Sequence, residues 1–173
     1  MYELSQERTL TEQLTSAPIR STWLVSVFRH DGPGGYDVPA FRGVFPNLTP
    51  NLGSNWLASR IGSLNQGGST ASAMAYMAVG TGTAALSVTN TMLAGEVKRA
   101  VFAVNEVTST NVWHVVNTYG GSTDTITSVD MREGGTFNKT DSGTMFQRVL
   151  FSSVVLANSD LLRLEIFTEV GTR

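Results

Sequence analysis

Two histidines and a few carboxylates are the side chains with which this chain of 173 residues could move protons or hold a metal. His114 lies within Val112-Trp113-His114-Val115-Val116, on the same strand face as Val112 and Val116. A general acid or base there would need a partner carboxylate or a nucleophile alongside, so a hydrogen-bonded strand histidine is the expectation. His30 and Asp31 precede Gly32-Pro33-Gly34-Gly35, where local turn hydrogen bonding is the ordinary role. Histidines so far apart have no metal-ligand spacing. Asp124, Asp130, Glu133 and Asp141 fall in or beside predicted turns. A hydrolase would need two of them facing one cleft with different pKa values, whereas an Asp at a turn commonly caps local amides.

Other motifs that carry chemistry are weak or missing. Gly80-Thr81-Gly82-Thr83 has the look of a phosphate-cradling loop, but Ala84 to Asn90 offers no basic anchor and a poor helix pattern. A phosphate site needs amides at a helix N-terminus, so a tight loop between strands is expected. The chain contains no Gly-x-Ser-x-Gly elbow, Walker A sequence or His-Glu-x-x-His helix. The sequons at Asn47 and Asn138 matter only on a secretory route. No catalytic residue, cofactor-binding residue or metal ligand is expected, and the chain is read as no enzyme. Trp23, Trp56, Trp113 and the eight Phe sit among apolar neighbours, which suits a core or a subunit interface. Trp23, Phe28, Phe41, Phe45 and Phe167 are the candidate interface residues. Phe167 shares a strand face with Arg163, Glu165 and Glu169, where an aromatic is a natural interface anchor.

Composition limits the partners. The net charge is -2 with only 15% charged residues, against the clustered Lys and Arg that nucleic-acid binding requires. No apolar run approaches the roughly 20 residues that span a bilayer, and Met1 to Arg8 has no apolar signal-peptide region. Neither nucleic acid nor membrane is expected as a partner. The chain has no cysteine, so thiolate chemistry and disulfides are excluded. With 41% hydrophobic residues and few charges, the surface has little to keep it free of apolar patches, which points to permanent assembly.

The elements that would position these residues are mostly strands. Leu10 and Leu14 permit one face of a short helix in a polar N-terminal stretch that equally suits a mobile arm. Ser21 to Phe28 is β-branched and aromatic and reads as a strand, closed by the Gly/Pro run. Tyr36 to Phe45 is extended, but Pro39 confines it to an edge strand or an arm. A short helix is predicted from Thr49 as N-cap through Pro50, Leu52, Trp56 and Ile61 to Gly62, followed by a Gly/Ser connection over Leu64 to Ser72. Further strands are predicted at Ala73–Val79, Glu96–Val107, Asn111–Tyr119, Thr125–Met131, Met145–Leu156 and Leu161–Val170. Gly120-Gly121-Ser122, Gly134-Gly135 and Asp141-Ser142-Gly143 are the expected connections. The fold class is therefore all-β, an antiparallel, jelly-roll-like sandwich with one short helix. Residues 1–45 form an N-terminal arm with edge strands, and residues 46–173 form the sandwich.

Several segments carry a resemblance. They are Asn51-Leu52-Gly53-Ser54-Asn55-Trp56-Leu57-Ala58, Met77-Ala78-Val79-Gly80-Thr81-Gly82-Thr83 and Thr91-Met92-Leu93-Ala94-Gly95-Glu96-Val97-Lys98-Arg99. Gly134-Gly135-Thr136-Phe137 and Gly143-Thr144-Met145-Phe146-Gln147-Arg148-Val149-Leu150-Phe151 follow in order. Together they resemble a recurrent module of tailed-bacteriophage virion structural proteins, over about residues 47 to 170. Met131-Arg132-Glu133-Gly134-Gly135 departs in part from the more apolar loop of that pattern. The resemblance implies a β-sandwich displayed on the virion as head decoration or cement protein, or as a neck, tail or fibre component. The implied partners are copies of itself, with a trimer expected, and the major capsid protein or other virion proteins. The implied location is the virion, after synthesis in the host cytoplasm. Two rivals remain: a glycan- or receptor-binding module using an exposed Trp113 or Tyr119, and a hydrolase using Asp124, Asp130 or Asp141.

Overall fold

The structure is a computed structural model that describes residues 19–30, 36, 38–49, 53, 73–109, 111–120, 126, 128–157 and 159–170. Among the described residues there are nine strands, β1 (Ile19–Phe28), β2 (Phe41–Leu48), β3 (Tyr76–Gly80), β4 (Glu96–Val101), β5 (Val104–Ser109), β6 (Val112–Gly120), β7 (Asp130–Phe137), β8 (Met145–Val155) and β9 (Leu161–Val170). All pairings among them are antiparallel, in the order β4-β3-β7-β8-β2-β1-β9-β6-β5. Folded at β2, this order gives two sheets. Sheet A is β2-β1-β9-β6-β5 and sheet B is β4-β3-β7-β8-β2, an all-β sandwich.

Two corners join the sheets. At one, β2 pairs with β1 over Phe41–Pro46 and then with β8 through Asn47 and Leu48. At the other, β4 hands over to β5 within two residues. The Phe102 amide bonds to the Ala75 carbonyl on the sheet B side, and the Ala103 amide bonds to the Val116 carbonyl in sheet A. Strands that switch sheets are how such corners are made. Asn117, buried on β6, ties the second corner by donating from Nδ2 to the Val101 carbonyl at 3.0 Å. The Tyr119 hydroxyl crosses the sandwich to the Met77 carbonyl at 2.6 Å.

The core follows strand alternation. Trp23, Val25 and Val27 of β1 meet Leu162, Leu164 and Ile166 of β9, Val115 and Tyr119 of β6, and Met77, Val79, Phe146 and Val149 of the opposite sheet. A second, smaller cluster lies on the outer face of sheet B, where Ala78, Phe137 and Met145 are covered by Leu93.

Several expectations are corrected. The boundary at residues 45 and 46 falls inside β2, and β1 sits within sheet A between β2 and β9, so residues 19–48 belong to the sandwich. Among the described residues β2 pairs with β1 alone over Phe41–Pro46 and with β8 alone through Asn47 and Leu48, so over Phe41–Phe45 it is the edge strand expected, with Pro39 just ahead of it. The single strand predicted over Glu96–Val107 is two strands broken at the corner. The strand placed at Thr125–Met131 begins at Asp130 instead. Gly134 and Gly135, read as a turn, lie buried within β7. They are there for lack of a side chain, since a Cβ on Gly134 would stand 3.0 Å from the Trp23 ring and one on Gly135 3.0 Å from Leu93 Cδ2. The predicted helix lies outside the described residues except Gly53, which is helical.

Candidate functional site

The most concentrated chemistry belongs to Glu133 and Arg148, which project from β7 and β8 on the outer face of sheet B. Both are completely buried, with Arg148 Nη2 2.7 Å and Nε 3.0 Å from Glu133 Oε2. The segment 81–95, which connects β3 to β4 without regular structure, lies over them. Glu133 Oε1 accepts the Gly95 amide at 2.7 Å and the Gly82 amide at 3.1 Å, and Oε2 also accepts the Ala94 amide at 3.2 Å. Arg148 donates to Asn90 Oδ1 at 2.8 Å, the Ala84 carbonyl at 3.0 Å and the Ala85 carbonyl at 3.4 Å. The Gly82 amide of the Gly80-Thr81-Gly82-Thr83 loop thus joins those of Ala94 and Gly95 on an anion, and that anion is the chain's own carboxylate. A buried pair with its hydrogen bonds used internally presents nothing to a substrate. Its work is to fold a long connection onto a sheet. Four of the segments that carry the resemblance meet at this point: 77–83, 91–99, 134–137 and 143–151.

Beside this clasp an open hollow of about 570 Å³ lies between Met92 and Leu93, Glu96 and Arg99 on β4, and the turn around Asp141. Two of its charged groups, Glu96 and Arg99, answer each other. Arg99 holds Glu96 through Nε at 2.9 Å and Nη2 at 2.5 Å, lies 3.6 Å above the Phe137 ring centroid, and donates to the Lys139 carbonyl at 2.9 Å. The carboxylates considered for acid-base work do not converge. Asp130 accepts bonds from Ser153 at 2.6 Å and Arg132 at 2.8 Å, which hold its pKa below the ordinary value. Glu133 is in the buried clasp, and Asp141 is exposed in the turn between β7 and β8. Asp124 lies outside the described residues. Among the described residues no cluster of His, Asp or Glu is placed to hold a metal ion, and no helix is long and apolar enough to cross a membrane.

His114 links three strands on the outer face of sheet A. Its Nδ1 lies 2.9 Å from Glu106 Oε1 on β5, its Nε2 is 3.5 Å from Glu165 Oε2 on β9, and its ring stacks on Phe167 at 4.3 Å. At 3.5 Å and with poor alignment the second contact is electrostatic and not a hydrogen bond. His30 is exposed and meets Tyr36 edge-on at 5.7 Å. Its own amide points to Asp160 Oδ1.

The five candidate interface residues separate. Trp23 is fully buried in the core and has no surface to offer, because its strand lies inside sheet A. Phe28 is half-buried, and Phe45 packs on Phe151 at 6.2 Å. Phe41 and Phe167 are exposed. The aromatics proposed for a glycan platform are engaged inward: Trp113 packs between Phe102 and Phe146 with Nε1 on Asn105, and Tyr119 is buried. Trp56 lies outside the described residues.

Exposed apolar side chains that the residue types alone did not reveal flank the second corner. Val97 and Val101 of β4 and Val104 and Val107 of β5 are all exposed, Val101 at 63% and Val107 at 71%, as is Met92 at 65%. Both strands end the hydrogen-bonded order. The run Glu96–Val107 was legible as a strand, but only the pairing order shows that its two parts end the order among the described residues. Compared with protein-family models, curated proteins and solved structures, the chain matches none.

Proposed function

We propose that this protein is a non-enzymatic structural protein of a tailed-phage virion that binds the assembled head as a decoration or cement protein. The observation that carries the reading is the set of exposed valines on β4 and β5, Val97, Val101, Val104 and Val107, on the strands that end the pairing order among the described residues. Large apolar side chains left exposed on such strands are candidates for burial against a partner. An unpaired strand edge adds a row of backbone donors and acceptors that a partner strand can complete.

The chemistry inside the molecule supports the same reading. Glu133 and Arg148 are consumed by folding the 81–95 connection, Glu96 and Arg99 by each other, and Asp130 by Arg132 and Ser153. The likeness of the 77–83, 91–99 and 143–151 segments to tailed-phage modules supplies the virion context. On this account the protein contributes stability by linkage: it binds the assembled shell in preference to free subunits, so many small contacts sum over the lattice. Its partners are the major capsid protein and further copies of itself.

The test is to mix purified protein with intact heads and sediment them. Binding that saturates on the head and is lost in Val101→Glu, with the folded state intact, is the expected result. Equal binding of wild type and variant, or none, would reject the surface.

A further inference from the structure

The connection 81–95 is pinned on both sides of Met92. Ahead of it Asn90 Oδ1 accepts a bond from Arg148 Nη1 at 2.8 Å, and behind it the Ala94 and Gly95 amides donate to Glu133 at 3.2 and 2.7 Å. The adjoining Leu93 is buried and packs down onto Ala78, Phe137 and Met145. With that neighbour turned toward the sheet, Met92 is turned away from it and stands 65% exposed. The clasp, not fraying, therefore holds this thioether in solvent. Met74, Met77, Met131 and Met145 are at most 3% exposed, each inside a core cluster, and Met1 lies outside the described residues. The connection binds Glu133 and Arg148 through Gly82, Ala84, Ala85, Asn90, Ala94 and Gly95. Met92 instead lines the open hollow, together with Glu96, Arg99 and Asp141.

We infer that Met92 is a site of selective oxidative modification, its thioether taken to the sulfoxide by peroxide while the fold and the buried methionines of the sandwich stay as they are. The sulfur lone pair attacks one oxygen of hydrogen peroxide, the O–O bond breaks and an S–O bond forms. Sulfur gives up the electron pair and is oxidised, and the peroxide is reduced. A proton passes from the transferred oxygen to the departing one, so the products are the sulfoxide and water. Access to sulfur selects the position, because a buried sulfur meets the oxidant only when the structure opens around it. The product is a polar, chiral group where a flexible apolar side chain stood. Oxidation thus rewrites the lining of the hollow that holds Arg99 and Asp141. The connection stays seated, because the clasp uses groups on either side of Met92 and not its side chain. The inference does not depend on the virion reading.

The chain has no cysteine, so thiol oxidation does not compete for the reagent. The full-length protein would be treated with dilute hydrogen peroxide, quenched and digested, and the oxygen gained by each methionine-bearing peptide followed by mass spectrometry. In the folded protein Met92 is expected to react at least about tenfold faster than Met74, Met77, Met131 and Met145, which wait for the core to open. In urea these positions should react at similar rates. Met1 is followed on its own peptide. Protein oxidised at Met92 should melt within about 2 °C of the untreated protein, the shift of a surface change in a domain of this length, and limited proteolysis should cut within 81–95 no faster than before. Met92→Leu, shown to be folded by the same melt, should gain no oxygen in the sandwich over the same time. A rate at Met92 no faster than that of the buried methionines would overturn the inference, as would an equal preference for Met92 in urea, which would place the cause in local sequence and not in the fold. A larger drop in melting temperature, or faster cutting within 81–95 after oxidation at Met92, would overturn the claim that the connection stays seated.

Discussion

Glu133 and Arg148 form an ion pair, 2.7 Å between Oε2 and Nη2, that is sealed from solvent beneath a connection of fifteen residues, 81–95. Every partner beyond the pair itself, apart from the side chain of Asn90, is backbone of that connection. The pair therefore substitutes for regular secondary structure, supplying the hydrogen bonds that a long irregular segment would otherwise leave unmet.

Removing one partner leaves the other as a buried uncompensated charge. Arg148→Met is expected to cost about 3–5 kcal/mol, the usual range for breaking such a pair from one side. Glu133→Gln combined with Arg148→Met is expected to cost less than the sum of the two single substitutions, because no lone charge remains and the glutamine oxygen still accepts an amide. Urea denaturation of the four proteins measures this. Limited proteolysis of Arg148→Met is expected to cut first within 81–95.

Asp160 gives the fold an acid-sensitive point. Burial raises its pKa, but the Ala157 amide, the Arg29 guanidinium and the His30 amide together outweigh burial and hold the carboxyl below its ordinary value. A carboxylate depressed in the folded state contributes stability that is present above its unfolded pKa and is lost as pH falls through the folded one. Stability should therefore decline as pH drops below about 4, and Asp160→Asn should flatten that part of the curve while lowering stability at neutral pH. Denaturation at a series of pH values checks both.

Gly135 tests the packing between β7 and the segment above it. An added Cβ would lie 3.0 Å from Leu93 Cδ2, 3.1 Å from the Gln147 carbonyl and 3.2 Å from the Phe137 ring. Gly135→Ala is expected to destabilise by about 1–3 kcal/mol, the range for overpacking a filled core. An unchanged midpoint would mean that the 81–95 segment is not seated on the sheet as described.

The strands were legible in the sequence wherever alternation was clean. Leu161–Val170 has Leu162, Leu164 and Ile166 facing in and Arg163, Glu165 and Phe167 facing out, and its bounds agree with the structure. The reading failed where tertiary packing overrode local signals. Gly134 and Gly135 carry a turn signature but serve as the space into which Trp23 and Leu93 pack. Glu133 looked like a turn carboxylate because its partner stands 15 residues away and the amides it binds lie 38 to 51 residues away. No local pattern reports such distances. The corner at Phe102 was hidden for the same reason: Val101 and Val104 read as one strand, and only their different neighbours separate them.

The exposed valines make a prediction that separates folding from assembly. Val101→Glu and Val107→Glu change side chains that are 63% and 71% exposed, so folding stability should shift by no more than about 0.5 kcal/mol. Particle binding should nonetheless fall for Val101→Glu, as sedimentation with intact heads would show.

The central claim is that the protein acts by binding an assembled shell, and its most direct measurement is made on purified virions. Copies would be counted by density or by quantitative labelling, and the temperature of genome release compared with particles that lack the protein. The account predicts copies spread over the head at a fixed ratio to the major capsid protein, with release at a lower temperature when the protein is missing. A few copies confined to neck or tail, with release temperature unchanged, would contradict it.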